Sequence, residues 1–338
     1  MAGRLIDLPQ PRGPLGERLF FALEGPPDTG LEVPGPVDSE DPIADEDLQL
    51  ALYLAYELHY TGIRGVDEGW EWAPSLLAFR AALERPFEAA VAELVEPASE
   101  EELASVGAAL QGIVAEDPGP PLSRYIETQG TLEQMLEHVV HRSAYQLKES
   151  DPHSWAIPRL SPGPKAALLE VQADEYGGGD SERMHAVLFA KTMAALGLDP
   201  TYGHYLDRLP GVTLATVNLM SGFGLHRRRR GALVGHLAGF EMTSSIPNRR
   251  YGNALRRLGF DREATHFYDE HVEADAVHEN IAAWDLAGGL AAAEPEVAPD
   301  ILFGARALLQ VEARWASHLM DAWERGESSL REPVAVPA

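Results

Sequence analysis

Apolar residues recur at three- and four-residue steps along most of this chain, which is the spacing of one face of an α-helix. The pattern begins after residue 45 and continues in successive stretches that glycine and proline residues separate. No alternating pattern long enough for a half-buried β-strand accompanies it. The sequence therefore predicts an all-α fold, with a helical bundle in the C-terminal two-thirds.

Breaks in this pattern divide the chain into four parts. The predicted parts are an extended or disordered N-terminal arm rich in Pro, Gly and Asp (1–45), a small helical module ending at the run DPGPP (46–120), the main helical domain (121–325) and a loose tail (326–338). A helical module of that size is too small to be clearly self-sufficient. We therefore expect it to pack against other surfaces and to contribute to a homodimer.

The main domain begins with a helix that has a clear start signal. Thr131 and Gln134 form a capping-box pattern, in which each side chain can satisfy a backbone N–H of the other residue. Further helices are predicted at roughly 164–175, 181–196, 201–208, 211–224, 228–243, 249–258, 262–293 and 297–325. Pro247 and Gly259 mark the breaks among the later helices.

One predicted helix carries three metal-type side chains on a single face. His271, Asp275 and His278 occupy positions i, i+4 and i+7 of the proline-free run 262–293. These positions fall within an arc of roughly 60° on an α-helix. Two imidazoles and a carboxylate are a ligand set suited to a first-row metal such as iron. The alternative, a solvated polar face of an amphipathic helix, stays open on these residues alone.

Two further candidate ligands flank a run of three glycines. Glu175 comes just before this run, and His185 lies one turn into the helix that follows it. Because glycine adopts backbone conformations that other residues avoid, the run can turn Glu175 toward the side that His185 faces. Asp174 and Glu182 are alternatives to Glu175.

Glu241 and Glu149 complete the candidate set. Glu241 ends a strongly apolar run, where a carboxylate is costly unless it is paired or bound to a metal. Glu149 ends the capping-box helix, where it could equally be an exposed helix-end residue. His236 lies in the same apolar run as Glu241, and we interpret it as a histidine of the core.

Composition limits the chemistry further. The chain of 338 residues has no cysteine, which excludes disulfides, iron–sulfur clusters and a cysteine nucleophile. Any metal must therefore be held by His, Asp and Glu. The formal net charge of −26 argues against nucleic-acid binding. The first residues do not resemble a signal peptide and no apolar run is long enough to cross a membrane, so we expect a cytoplasmic protein.

The candidate ligands, in this order, resemble those of the haem-oxygenase-like diiron oxidases and oxygenases, a family of iron-containing redox enzymes. Members carry a Glu, a nearby His, a Glu on a middle helix and His-x3-Asp-x2-His on a late helix. Here the order reads Glu175, His185, Glu241, His271, Asp275 and His278. The stretches ADEYGGG and ERMHAVLFAKTM are similar to the second core helix of this family. The resemblance covers roughly residues 130–325.

Ligand spacing is most similar to that of the diiron N-oxygenases of streptozotocin biosynthesis. In these enzymes an additional glutamate would fall on Glu149, and an N-terminal dimerisation region resembles the predicted module 46–120. They also carry a C-terminal cupin domain, for which we expect no room in this chain. The resemblance thus implies N-hydroxylation without formation of a nitrosourea.

The resemblance implies a particular chemistry. Two Fe(II) ions per chain would react with O2 as co-substrate to a peroxo-diiron(III) species that oxidises a small molecule, and an external electron donor is a possible partner. Glu175 and His185 would hold one iron and the late helix the other, with Glu241 as the natural bridge.

Three functions are compatible with these residues. The favoured one is oxygenation of an amine, guanidine or amino-acid nitrogen, since an acidic chain suits a cationic substrate. The second uses the same site to cleave a C–C bond in a fatty acid or amino acid, and a fatty acid would require a long apolar channel. The third is a metal-free helical binding protein, which the six ordered ligand types disfavour.

Overall fold

Helices form the regular structure of this protein. The computed structural model describes residues 5–335, apart from the side chains of residues 273–277. Over that part of the chain it contains helices and turns but no β-strand, and Ile6 and Ile63 form only an isolated bridge. The prediction of an all-α fold is confirmed.

The helices divide into those before and those after residue 120. The first group comprises α1 (Pro14–Leu23), α2 (Glu46–Glu57), α3 (Pro74–Glu93), α4 (Glu100–Ala104) and α5 (Val106–Ala115). The second group comprises α6 (Leu122–Thr128), α7 (Leu132–Gln146), α8 (Asp151–Ser154), α9 (Pro162–Glu175), α10 (His185–Ala195), α11 (Gly211–Leu225), α12 (Arg230–Arg257), α13 (Arg262–Asn280), α14 (Gly289–Ala293) and α15 (Ala298–Glu324).

The first helix lies in the segment that the sequence predicts to be extended or disordered, and that prediction is wrong for Pro14–Leu23. The cause is a contact across about thirty residues of chain. The Asp47 carboxylate accepts hydrogen bonds from the backbone N–H groups of Leu15 and Gly16, at 2.7 and 2.8 Å. These bonds satisfy donors that the first turn of a helix leaves unpaired. No pattern within residues 1–45 predicts that the Asp47 carboxylate stabilises the start of this helix.

The C-terminal segment is also more ordered than predicted. The Glu137 carboxylate on α7 accepts hydrogen bonds from the hydroxyl of Ser328, at 2.5 Å, and from the hydroxyl and backbone N–H of Ser329, at 2.6 and 2.9 Å. Ser329 is buried as a result. The prediction of a loose tail is therefore wrong for these residues, because a buried carboxylate elsewhere in the chain holds them.

Several predicted helix boundaries differ from the structure. The helix predicted at 181–196 begins only at His185, and the capping-box helix ends at Gln146, before Glu149. The predicted helices 228–243 and 249–258 are one continuous helix, α12, with Pro247 inside it. Proline removes one backbone hydrogen bond from a helix, and the packing of α12 against α13 and α15 outweighs that loss. The predicted helix 201–208 is reduced to one short turn, Leu206–Arg208.

The long run 262–293 is helical throughout, as the sequence predicts. It consists of α13, a π-helical segment (Ile281–Gly288) and α14, in direct succession. π-Helical turns inside α-helices are frequent near functional sites. This run carries the predicted ligands His271 and His278, and it packs along α12.

The central helix α12 is pressed against α15 at two glycines. A Cβ atom at Gly235 would lie 1.8 Å from the Ile301 carbonyl oxygen, and one at Gly304 would lie 2.0 Å from the Ala232 carbonyl oxygen. Only glycine permits so close an approach of two helix backbones. The contact fixes the position of α12, which also supplies a predicted ligand, Glu241.

The helices before residue 120 pack directly on the later ones. The N-terminal α2 lies against α11. Glu57 on α2 also forms a buried ion pair with Lys148, just after α7, at 2.7 Å between the Oε2 and Nζ atoms. The domain boundary near residue 120 and the homodimer stay predictions. None of the described helices is both long and apolar enough to span a lipid bilayer.

The α12–α15 contact makes a prediction about stability. We expect Gly235→Ala to lower the free energy of unfolding by about 3 kcal/mol, because the added methyl group forces two helix backbones apart. Gly112→Ala on α5 is the matched control, since nothing lies within 4 Å of the Cβ position there. The control should be neutral or stabilise by roughly 0.5–1 kcal/mol. Denaturant unfolding measures both, and equal effects of the two changes would contradict the tight crossing.

Candidate metal centre

Six of the seven predicted ligands meet in the interior as two overlapping groups. One group contains Glu149, Glu175, His185 and His271, and the other contains Glu175, Glu241 and His278. Within each group, one nitrogen or oxygen atom of every side chain lies within 4.8 Å of those of the others. Glu175 belongs to both groups, so a single carboxylate stands between two potential metal positions.

Glu175 and His185 are brought together by the turn between their helices. Glu175 is the last residue of α9 and His185 is the first residue of α10. Between them, Gly177 has a φ of 70° and packs so closely that a Cβ atom would lie 2.7 Å from the Met184 nitrogen. The resulting reversal places Glu175 Oε2 3.0 Å from His185 Nδ1. The glycines thus orient both ligands, as the sequence suggests.

The helix α13 contributes one histidine to each group. His271 Nε2 lies 3.6 Å from Glu149 Oε1, and His278 Nδ1 lies 3.4 Å from Glu241 Oε2. The shared face predicted from the sequence therefore serves two neighbouring positions. The side chain of Asp275, between these two histidines, lies outside the described residues.

Glu149 and Glu241 reach the site from different kinds of structure. Glu241 lies in the middle of α12 and is 7% exposed. Glu149 lies just beyond the end of α7, in the short turn that leads to α8, and its side chain is 9% exposed. Glu149 Oε2 is buried and has no hydrogen-bond partner in the described part of the chain. Such an oxygen is costly to bury unless something else pairs with it.

Both ligand histidines of α13 are held by an acceptor on the side away from the cluster. His271 Nδ1 lies 2.9 Å from the Phe267 carbonyl oxygen, and His278 Nε2 lies 3.0 Å from the Asp174 carboxylate. A carbonyl or carboxylate can only accept, so these nitrogens carry the protons. When these imidazoles are neutral, as metal binding requires, the nitrogens that face the glutamates carry the lone pairs, which is the arrangement found in protein metal sites.

The charges of the cluster shift the pKa values of its members. Burial alone would raise the pKa of Glu175, but the positive charges of His185 and His271 and the hydrogen bonds from His185 and Ser150 outweigh it, so the pKa is lowered. Burial likewise opposes protonation of His278, yet its hydrogen bond to Glu241 and that carboxylate's charge lead the partners that raise its pKa to about 9. Metal binding must therefore displace protons from the imidazoles.

Ser150 supports the shared glutamate from the turn after Glu149. Its hydroxyl donates a hydrogen bond to Glu175 Oε2, at 3.0 Å. Among the described residues it is the one non-glycine residue with positive φ, at 72°. A residue in this conformation is strained, and such strain is common at functional sites. We conclude that the turn is held in shape by the site around it.

Sequence reasoning missed the roles of Ser150 and Asp174. The sequence offers Asp174 as a competitor of Glu175, whereas in the structure it supports His278 from the other side of the imidazole ring. Glu182, the other competitor, is exposed and pairs with Lys191 at 2.9 Å. The only available signal for Ser150 is its position directly after Glu149, and that signal is weak.

Other polar residues of the core have different partners. His236 Nδ1 lies 3.1 Å from His153 Nε2 in a buried pair, which agrees with its interpretation as a core histidine. His141 is bonded to Thr213 at 2.7 Å and to Ser329 at 3.0 Å. Neither belongs to the two groups of potential ligands.

A cavity of about 190 Å³ adjoins the first group of ligands. Glu149 and His271 form part of its wall, and Asp117, Gly119 and Pro120 lie in another part. Polar and apolar side chains both line it, and the polar ones include the ion pair between Arg142 and Glu312, whose closest atoms are 2.6 Å apart. The cavity is small compared with pockets of roughly 300–1,000 Å³ that hold drug-sized ligands.

The donor set fits a metal. Three carboxylates and three imidazoles are buried together, and burying so many acidic groups is unfavourable without cations. Carboxylate with imidazole ligation on helices of a bundle is a common way to hold iron. The fold and the site together define a helical protein with a buried His/Glu cluster that could bind metal.

Comparison with known proteins agrees with this description. The sequence model of the iron-containing redox enzyme family matches residues 136–313, which is just over half of the chain. The protein therefore belongs to this family of iron-containing redox enzymes with a haem-oxygenase-like helical fold. The match contains every predicted ligand. No curated protein matches the chain.

The strained turn makes a prediction with two variants. Both Ser150→Ala and Ser150→Gly remove the hydroxyl that binds Glu175, which costs roughly 1–3 kcal/mol. Ser150→Gly also relieves the unfavourable backbone conformation, worth about 1 kcal/mol. We therefore expect both variants to be less stable than the parent, and Ser150→Ala to be the less stable of the two. Denaturant unfolding of metal-free protein measures this order, and the reverse order would contradict the strain.

Proposed function

We propose that this protein is a non-haem diiron oxygenase that uses O2 to oxidise a compact polar molecule, most directly at a nitrogen atom. The observation that carries the proposal is the overlap of two ligand groups at Glu175. A carboxylate has two oxygens, so one glutamate can serve two neighbouring metal ions. Membership in a family of iron-containing redox enzymes supports iron as the metal.

The arrangement favours a different division of ligands from that implied by the sequence resemblance. Glu175, rather than Glu241, is the natural bridge because it belongs to both groups. Glu149, His185 and His271 would complete one iron site. Glu241 and His278 would belong to the other, together with Asp275 as the sequence predicts.

Bound iron would supply the activation of O2, which no amino-acid side chain can perform. The chain's own residues provide orientation and exclusion of water. The Phe267 carbonyl and Asp174 fix which nitrogen of His271 and of His278 faces the cluster. The ligands described here are less than a tenth exposed, so bulk water has little access. The adjoining cavity, which Glu149 and His271 help to line, is where a substrate could approach this ligand cluster.

The cavity supports a polar substrate over a fatty acid. Its wall is rich in hydroxyl, amide, imidazole and charged groups, and its volume is about 190 Å³. A fatty acid requires a continuous apolar channel, whereas charged and hydrogen-bonding side chains interrupt the apolar part of this lining. A small amine, guanidine or amino acid can pair with such groups. Cleavage of a C–C bond in an amino acid is the second candidate, since the same cavity suits that substrate.

Iron binding tests the two-site arrangement. Anaerobic titration with Fe(II) should give about two irons per chain for the parent protein. Glu175→Gln should lower the iron occupancy of both sites, because it replaces the proposed bridging carboxylate with an uncharged amide. His278→Ala should remove one iron and leave the other. Metal analysis after gel filtration measures these ratios.

Glu182→Gln is the control for iron binding, because Glu182 is an exposed acid near the same turn. It should keep both irons. A parent protein that binds only trace iron would overturn the proposal. Retention of two irons by Glu175→Gln would overturn the bridging role alone.

Substrate-triggered O2 uptake tests the reaction. The iron-loaded protein should consume O2 in the presence of some amines, guanidines or amino acids, and mass analysis should find a product heavier by one oxygen. Loss of CO2 or a shortened product would favour C–C cleavage. His278→Ala should abolish uptake while helical content stays near that of the parent. Uptake only with fatty acids would contradict the polar-substrate assignment.

A further inference from the structure

The second half of α7 forms one wall of the cavity. His138, Arg142 and Gln146 follow one another at four-residue steps, and all three line the cavity. Side chains at this spacing lie on the same side of a helix. Beyond them, Glu149 marks the end of the cavity at the metal centre. At a rise of about 1.5 Å per residue, His138 and Gln146 are roughly 12 Å apart along the helix axis.

Besides the ligand Glu149, three residues of this cavity carry a buried polar atom without a hydrogen-bond partner among the described residues. Across the described residues, no hydrogen-bond partner lies near His138 Nδ1, Gln146 Oε1 or the Tyr268 hydroxyl. His138 and Tyr268 are each 1% exposed. A buried polar group without a partner costs roughly 1–3 kcal/mol. Three such groups around one cavity mark a place where a ligand completes the hydrogen bonding.

These three groups differ in what they can bind. A tyrosine hydroxyl can donate and an amide oxygen accepts. Burial, and then the nearby charge of Arg142, lowers the pKa of His138 well below its usual value, so this imidazole is neutral. It can therefore either donate or accept at Nδ1. The set suits a molecule with both donors and acceptors, and it offers nothing to a hydrocarbon chain.

The charged residues of the cavity wall indicate which net charge the ligand carries. Arg142 and Glu312 neutralise each other through two hydrogen bonds, at 2.9 and 2.6 Å. The guanidinium group also lies over the Trp315 ring, 3.8 Å from its centroid, so its charge already has two partners. Asp117, which also lines the cavity, and Glu149 at the metal end add negative charge. An anionic ligand is therefore disfavoured relative to a neutral or cationic one.

We propose that His138, Gln146 and Tyr268 are the substrate-binding residues of this cavity. Their ligand is an elongated polar molecule of amino-acid size that carries an amine or guanidine group. Its reacting end lies near Gln146 and Glu149, its other end lies near His138, and Tyr268 on α13 lies beside it. This inference rests on the proposed function, because it assigns the cavity to the molecule that the metal centre oxidises.

Two variants separate substrate binding from a structural role. Tyr268→Phe and Gln146→Leu each remove an unpartnered polar atom and keep the approximate shape of the side chain. Both variants should therefore be as stable as the parent or more stable, and both should bind the ligand about tenfold more weakly. Tyr125→Phe is the control, because the Tyr125 hydroxyl is paired with Gln134 outside this cavity. It should leave binding unchanged.

Calorimetric titration of the full chain supplies the measurement. The probes are L-arginine, L-lysine and agmatine, with decanoate as the apolar anion, and each is titrated without O2 into metal-free and Fe(II)-loaded protein. We expect at least one nitrogen-containing probe to bind and decanoate not to bind. Binding that Tyr268→Phe and Gln146→Leu leave unchanged would overturn the assignment. So would binding of decanoate alone, or of no probe.

The same titrations distinguish this inference from the proposed function. A protein that binds two irons but none of the nitrogen-containing probes would contradict the inference and leave the diiron centre in place. A protein that binds such a probe at Tyr268 and Gln146 but takes up no iron would contradict the proposed function instead. Loss of stability in Tyr268→Phe would show that this hydroxyl has a structural partner, which also counts against the inference.

Discussion

The burial of Glu175 among imidazoles and other carboxylates is the interaction on which this structure depends. A carboxylate in the interior is unfavourable unless positive charge lies close to it. Here that charge can come from His185 and His278 in the metal-free protein, or from metal ions that displace their protons. The site is consequently polar in either state, and the surrounding helices must be stable enough to hold it.

That stability comes from contacts outside the cluster. The glycines at the α12–α15 crossing let two backbones touch, so Glu241 is carried on a helix that has little freedom to move. The histidines of α13 are oriented by groups of their own helix and of α9. Precise ligand geometry requires such support from a rigid scaffold. Ser150 is the exception, because there the backbone itself is strained where it binds Glu175.

Sequence patterns were sufficient for the helical class, the long helix 262–293 and the selection of six residues that meet in the interior. Each of these depends on local periodicity or on the order of ligand types. The patterns failed where a distant partner decides the structure: Asp47 stabilises α1, and Glu137 holds the C-terminal segment. The patterns also could not show that His271 and His278 belong to different ligand groups. That depends on where other segments of the chain place Glu149, Glu175, His185 and Glu241.

The polarity of the cavity links this site to a particular kind of reaction. A diiron centre can in principle oxidise many molecules, so the protein must select by what it allows to bind nearby. Apolar pockets discriminate poorly, since a methylene group is worth only about 1–3 kcal/mol. A site with buried, unpaired polar atoms rejects molecules that cannot pair with them much more strongly. His138, Gln146 and Tyr268 give this cavity that property, and the distance of His138 from Glu149 along α7 separates recognition of one end of the substrate from oxidation of the other.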